Sequence, residues 1–115
     1  MGWITTHVLD TAAGQPAAGM RVTLTRLDGT ATLICDIVTN ADGRCENPVL
    51  DQDAFSIGNY ELVFYVGDYF RRVGPKLPDL PFLEQVPIRF GATEDAHYHV
   101  PLLVSPYAYS TYRGS

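Results

Sequence analysis

The chain has 115 residues, enough for one domain around a single hydrophobic core, and we assign residues 1–115 to that domain. Hydrophobic residues make up 46% of the sequence and charged residues 18%, a composition that excludes a disordered chain. The formal net charge of −5 argues against nucleic acid or an anionic membrane as a partner, because both require a basic surface. No apolar run approaches the roughly 20 residues that cross a bilayer, and no secretory signal begins the chain as given, so we expect a cytoplasmic protein.

Short β-rich runs separated by Gly, Pro, Asn and Asp predict an all-β sandwich or barrel. Residues 20–27 alternate between the two faces of a strand, and residues 59–66 are rich in aromatic and β-branched side chains. The eight predicted strands are Trp3–Leu9, Met20–Leu27, Leu33–Thr39, Arg44–Glu46, Asn59–Val66, Leu83–Phe90, His97–Val104 and Tyr107–Tyr112.

One short helix is predicted at Asp68–Val73 between the fifth and sixth strands. Asp68 can cap its N-terminus, because a carboxylate accepts hydrogen bonds from the free N–H groups of the first turn, and Gly74-Pro75 ends it. Pro87 and Pro101 have no N–H for a strand ladder. We therefore place each of these prolines at a sheet edge or a bulge.

All three histidines fall in predicted strands, and His97 and His99 share one face because side chains alternate along a strand. Three interpretations remain open at this point. They are surface or hydrogen-bonded core histidines, a metal site in which His7 completes the His-x-His pair, or acid–base catalysis by imidazoles that titrate near neutral pH. Arg44 follows the predicted turn 40–43 and is either a solvated turn residue or a guanidinium aimed at a carbonyl or anion.

Two cysteines, Cys35 and Cys45, are too few for a disulfide framework. We expect both to be reduced and to pack as small hydrophobes, although their redox state is not decided by the sequence. The last ten residues are rich in tyrosine and alternate like a strand rather than a frayed tail. They form either an edge strand packed for stability or an interface.

Six segments of the chain match one family pattern, and the most specific of them is the terminal Tyr112-Arg113-Gly114-Ser115. With these segments the chain resembles the transthyretin-related 5-hydroxyisourate hydrolases, enzymes of purine and urate catabolism, over essentially its whole length. The terminal tetrapeptide separates these hydrolases from the transthyretins proper, which are carriers on the same fold. The other segments are Thr6–Asp10, Thr39–Arg44, Pro81–Leu83 with Val86–Gly91, His97–Leu103 and Ser105–Tyr107.

The resemblance implies a transthyretin-like sandwich of two four-stranded sheets with a short helix after the fifth strand. It also implies a homotetramer, a dimer of dimers with active sites at the dimer–dimer interface, and catalysis without a cofactor or a metal. Carried over residue by residue, it implies that the catalytic residues are His7, Arg44 and His99, that His97 supports them, and that the substrate-binding residues are Tyr112, Arg113, Gly114 and Ser115.

The reaction that the resemblance implies is hydrolysis of 5-hydroxyisourate, the product of urate oxidation, to 2-oxo-4-hydroxy-4-carboxy-5-ureidoimidazoline. One imidazole of His7 and His99 would deprotonate a water, Arg44 would stabilise the oxyanion, and the second imidazole would protonate the departing nitrogen. Which histidine acts as the base stays open. The alternative is a transthyretin-like protein that binds a small molecule without catalysis and has small apolar residues in place of these histidines.

Overall fold

The computed structural model describes residues 1–74 and 76–114. In this part of the chain two sheets pack face to face, with one short helix at their side, as the sequence predicts. The elements in chain order are β1 (Trp3–Asp10), β2 (Gln15–Pro16), β3 (Arg21–Leu27), β4 (Ala31–Val38), β5 (Gly58–Phe64), α1 (Val66–Val73), β6 (Val86–Ala92), β7 (His97–Ser105) and β8 (Ala108–Thr111).

The first sheet has the strand order β2-β1-β7-β8 and the second has the order β4-β3-β5-β6. β1 and β7 run parallel, in a register that extends from Trp3↔His97 to Asp10↔Val104. Every other strand pair is antiparallel within the described residues. Because β1 and β7 come from opposite ends of the sequence, their pairing brings the first and last histidines of the chain onto one surface.

The hydrophobic core lies between the inner faces of the two sheets. In β1 the inward side chains alternate with half-buried outward ones, and Ile4 and Val8 are fully buried. Leu24 of β3 and Phe64 of β5 meet them from the second sheet and are equally buried. Alternation therefore leaves the outer face of the first sheet free for polar side chains.

Two features of the strand count differ from the prediction. Residues 44–46 do not form a strand, since Arg44 makes only a single bridge, to His7, and the chain bends at Glu46 and Asn47. The total is still eight strands, because the structure contains one that was not predicted. This is β2, a two-residue strand at Gln15–Pro16 that pairs with the end of β1. It is too short to show any hydrophobic periodicity, which is why the sequence did not indicate it.

The helix begins two residues earlier than predicted, and Asp68 is not its cap. Tyr65 occupies the N-cap position without a side-chain cap bond, while Asp68 lies inside the first turn and pairs with Arg71 at 2.8 Å. The helix starts early because the carbonyl of Glu84 accepts a hydrogen bond from the Gly67 N–H at 2.9 Å, satisfying one of the free donors of the first turn. It ends at Gly74 as predicted, and Pro75 lies outside the described residues.

The proline prediction is right for Pro87 and wrong for Pro101. Pro87 lies in β6, an edge strand, whereas Pro101 lies in β7, between β1 and β8. Pro101 is tolerated inside the sheet because the β7–β8 register begins only at Leu102↔Thr111, one residue further on. Among the residues described, no helix has the length and apolar character to cross a membrane.

Candidate active site on the outer face of the first sheet

His7 and His99 lie side by side on the outer face of the first sheet. His7 is paired in register with Pro101, two residues from His99 along β7, and Thr5 lies directly opposite His99. The side chains of His7, His97 and His99 are half-buried on this face, while Tyr98 and Val100 between and after them point into the core. The shared face predicted from strand alternation is therefore confirmed.

The turn Asn40–Gly43 fixes the position of Arg44. The side-chain oxygen of Asn40 accepts hydrogen bonds from the N–H groups of Asp42 and Arg44, at 2.9 and 3.2 Å. The Gly43 carbonyl then accepts a bond from the Val8 N–H at 2.8 Å, which attaches the turn to β1. Gly43 has a φ of 73°, and a β-carbon there would lie 2.4 Å from the Val8 carbonyl oxygen, so only glycine fits. The turn thus places Arg44 next to His7, on the outer face of the first sheet.

Thr5 and Trp3 hold the His-x-His pair in place. The Thr5 hydroxyl lies 2.7 Å from Nε2 of His97 and 2.7 Å from Nδ1 of His99. The indole of Trp3 stacks on the His97 ring with a centroid distance of 4.4 Å and an angle of 5° between the planes. Both imidazoles are therefore oriented by neighbours on β1 rather than free to rotate.

The end of the chain reaches the same place through Gly114. Its N–H donates a hydrogen bond to the His99 carbonyl at 2.7 Å, so the backbone passes directly beside the imidazole. Tyr112 and Arg113 point elsewhere, into a separate cavity of about 240 Å³ that Tyr98 also lines. The Arg113 guanidinium lies 4.3 Å from the centre of the Tyr98 ring. Of the predicted terminal tetrapeptide, Ser115 lies outside the described residues.

A cleft of about 430 Å³ opens on this face, a volume suited to a small heterocycle. His7 borders it rather than lining it, with its backbone bridged to that of Arg44. The residues that line the cleft are Thr5, Thr6, Arg44, Cys45, Glu46, Asn47, Pro48, His97 and His99.

Both site histidines are biased toward the neutral form. Burial lowers the pKa of His7 and of His99, and the positive charge of Arg44 lowers the pKa of each further. For His7, a hydrogen bond to the Asp42 backbone opposes this effect in part. His97 and His7 add to the lowering of the His99 pKa. Unprotonated imidazoles at neutral pH can accept a proton from water, which is the first requirement of a general base.

The two cysteines are free thiols in this structure. Burial raises the pKa of both, and that of Cys45 to about 11, so each is protonated at neutral pH. Cys45 lines the cleft, but a protonated thiol is a poor nucleophile. Among residues 1–74 and 76–114, no three His, Cys, Asp or Glu side chains are grouped as metal ligands.

The family model described as HIUase/Transthyretin family matches residues 4–114. The chain belongs to this family. A relative from Mesorhizobium japonicum named 5-hydroxyisourate hydrolase is 61% identical over 115 residues, a match that covers 99% of this chain and 93% of the relative. The named relatives and the site geometry thus indicate the same class of protein.

Solved structures of this family share the fold. The structure of Klebsiella pneumoniae 5-hydroxyisourate hydrolase is 35% identical, with a TM-score of 0.83 and full coverage of both chains. A crystal structure of (S)-allantoin synthase is 49% identical with a TM-score of 0.92, over 99% of this chain but only 44% of that one. Sea bream transthyretin in complex with thyroxine is 29% identical with a TM-score of 0.85, over 96% of this chain and 93% of the transthyretin. The sandwich is therefore transthyretin-like, as predicted.

Sequence reasoning did not identify Thr5 and Trp3 as members of the site. The alternation of β1 places both on the face of His7, but neither residue type by itself indicates chemistry. Only the parallel register of β1 with β7 puts Thr5 opposite His99, where its hydroxyl reaches both His97 and His99. Such a register joins segments more than 90 residues apart and has no local signal in the sequence.

Proposed function

We propose that this protein hydrolyses 5-hydroxyisourate to 2-oxo-4-hydroxy-4-carboxy-5-ureidoimidazoline in urate degradation. The observation that carries the proposal is the convergence of His7, His99 and Arg44 at one cleft. The relatives named 5-hydroxyisourate hydrolase, which match this chain over nearly its whole length, support the same substrate.

In the first step, a neutral imidazole of His7 or His99 takes a proton from water. The water oxygen attacks the ring carbonyl carbon whose C–N bond is to be broken. Negative charge then develops on the carbonyl oxygen. Arg44 supports this step because its guanidinium lines the cleft, on a backbone held by the Asn40–Gly43 turn, and can donate hydrogen bonds to that oxygen. Fixed donors and a positioned base contribute roughly 10² to 10³-fold each.

In the second step, the tetrahedral intermediate collapses and the C–N bond breaks. The imidazolium formed in the first step gives its proton to the departing nitrogen, directly or through the second imidazole, and the former carbonyl carbon becomes a carboxyl group that ionises to a carboxylate. No side-chain nucleophile is required, and the high pKa of Cys45 supports direct attack by water. Tyr112, Arg113, Gly114 and Ser115 remain predicted substrate contacts; of these, Gly114 lies beside His99, whereas Tyr112 and Arg113 of the same chain line the neighbouring cavity.

The cleft itself disfavours the alternative of a non-catalytic carrier. A carrier for an apolar ligand predicts an apolar site, whereas imidazoles, a guanidinium and a carboxylate line or border this one. The lower identity to sea bream transthyretin, 29% against 61% for the Mesorhizobium japonicum hydrolase, points the same way.

The proposal includes a cytoplasmic homotetramer, a dimer of dimers with the clefts at the dimer–dimer interface. β6 and β8 each stand at the end of a sheet, and strands in that position readily pair with a second copy. Tyr107, Tyr109 and Tyr112 are exposed on or beside β8, the residue type that is enriched at protein interfaces. The half-buried outer face that holds the histidines offers a second surface for association.

The test is the decay of freshly generated 5-hydroxyisourate, followed by its ultraviolet absorbance with and without the protein. The proposal predicts faster decay with the protein, at a rate that added chelator does not change. Equal decay rates would refute the assigned activity. Loss of the acceleration on adding chelator would instead support a metal-dependent hydrolase.

A further inference from the structure

One hydroxyl joins two histidine rings in the candidate active site. Oγ1 of Thr5 lies 2.7 Å from Nε2 of His97 and 2.7 Å from Nδ1 of His99. A hydroxyl group has one proton to donate and two lone pairs with which to accept. Thr5 therefore cannot donate to both rings, and at least one of these two nitrogens must carry a proton and donate it to Thr5.

We propose that Thr5 is a positioning residue that keeps the proton of His99 on Nδ1 and leaves Nε2 unprotonated toward the cleft. The inference rests on the proposed function and deepens it, because it assigns the role of general base to His99. The tautomer of a neutral histidine is set by the hydrogen bond that its other nitrogen makes. For His99 that bond is the one from Nδ1 to Thr5.

Three proton arrangements satisfy the geometry. In two of them Nδ1–H of His99 donates to Thr5, while Thr5 either donates to His97 or accepts from it. In the third, Thr5 donates to His99, whose remaining proton then lies on Nε2. Arg44 lines the same cleft as His99, and its positive charge favours a lone pair over an N–H on Nε2, the ring nitrogen that Thr5 does not hold. The electrostatics therefore disfavour the third arrangement.

The neighbours of the two rings make this assignment rigid. His97 is stacked on Trp3, so its Nε2 stays directed at Thr5. The Gly114 backbone lies beside His99, and even a β-carbon there would come within 2.7 Å of Cδ2, so the chain end leaves the ring little room on that side. The remaining charged or titratable groups at the cleft are Cys45 and Glu46, which line it, and His7, which borders it.

The direct readout is the protonation of the ring nitrogens in the full-length protein, measured by long-range ¹H–¹⁵N NMR at a pH where His99 is neutral. We expect Nδ1 of His99 to carry the proton in the wild type. In Thr5→Val, which keeps the shape but removes the hydroxyl, Nδ1–H has no acceptor and the proton should shift toward Nε2. Thr5→Ser keeps the hydroxyl and should retain the wild-type tautomer.

The kinetic readout uses the same variants with 5-hydroxyisourate. Thr5→Val should lower kcat by about 10 to 10²-fold and leave KM within about threefold, since a misplaced proton weakens general-base catalysis more than binding. Thr5→Ser should recover most of the rate. The matched control is Thr11→Val, which removes a hydroxyl bonded to the Val104 carbonyl at 3.1 Å, outside the cleft, and should leave both constants unchanged.

The outcomes separate this inference from the function on which it rests. Hydrolysis by the wild type together with a protonated Nε2 on His99 would overturn the inference alone. So would a Thr5→Val variant with unchanged tautomer and unchanged kcat. A wild type that does not hydrolyse 5-hydroxyisourate would overturn the proposed function and the base role with it, although the NMR spectrum would still report the tautomer.

Discussion

Gly114 lies so close to His99 that no larger residue fits between the chain end and the imidazole. A β-carbon at position 114 would lie 2.7 Å from Cδ2 of His99 and 3.3 Å from its Cβ and Cγ. The ring cannot move aside freely, because Thr5 holds its other edge. The terminal segment therefore contacts the His99 imidazole through its backbone.

Gly114→Ala should accordingly displace the His99 ring and lower kcat/KM for 5-hydroxyisourate by at least about tenfold, the scale on which misplaced catalytic groups lose rate. Its Tm should change little, since the site is on the outer face of the sheet. Gly29→Ala is the matched control. Gly29 has a φ of 100° and open space around it, so alanine there costs stability, about 1–2 kcal/mol, without touching the cleft. A Gly114→Ala enzyme with full activity would show that the close packing has no catalytic consequence.

The pH dependence should follow the neutral state of the two imidazoles. Because burial and Arg44 lower the pKa of His7 and His99, both are unprotonated at pH 7. We expect kcat/KM to stay constant at neutral pH and to fall only below about pH 6.5, the ordinary histidine value, as protons occupy the base. A fall that begins well above pH 7 in the pH–rate profile would contradict these pKa shifts.

Arg44→Gln should raise the pKa of both histidines, because it removes a positive charge that disfavours their protonation. An NMR titration of the imidazoles measures this shift without relying on residual activity. Arg113→Gln removes the same charge from a guanidinium that lies over the Tyr98 ring and should leave both titrations unchanged. Equal shifts in the two variants would mean that Arg44 has no special influence on the site.

The proposed assembly predicts a species near four times the chain mass of 12.7 kDa in sedimentation. Tyr109→Glu places a charge on the edge strand β8 and should shift the protein to smaller species. Val73→Glu, at the end of α1, is the control and should leave the assembly unchanged. The Val73 side chain is 47% exposed and that of Tyr109 is 46% exposed. A fully active monomeric wild type would remove the interface from the proposal.

Much of the fold was predictable because its signals are local. Alternation located β3 and β7, and Asn40–Gly43 marked the turn that delivers Arg44. The misassigned strand at residues 44–46 and the missed β2 are segments of two or three residues, in which packing rather than propensity decides the conformation. The early start of α1 depends on a hydrogen bond from the distant Glu84, which the local sequence does not show.

The site was predictable in its residue types and less so in its geometry. Spacing made His7, Arg44 and His99 candidates with other readings open, and the family resemblance selected them, but Thr5 entered the site only through the parallel pairing of β1 with β7. Nothing in the sequence distinguishes Gly114, which packs on His99, from Arg113, which turns to the neighbouring cavity. These distinctions come from long-range register and packing.

We propose that His99 and Arg44, which converge at one cleft, act as one catalytic unit on 5-hydroxyisourate. The measurement that tests it most directly is kcat/KM for the wild type, His99→Asn, Arg44→Ala and the double variant, with Tm recorded for each. We predict that each single variant loses at least about 10²-fold in kcat/KM with little change in Tm. We also predict that kcat/KM of the double variant is close to that of the less active single variant. Single variants within about tenfold of the wild type, or a large fall in Tm with activity retained, would contradict the account.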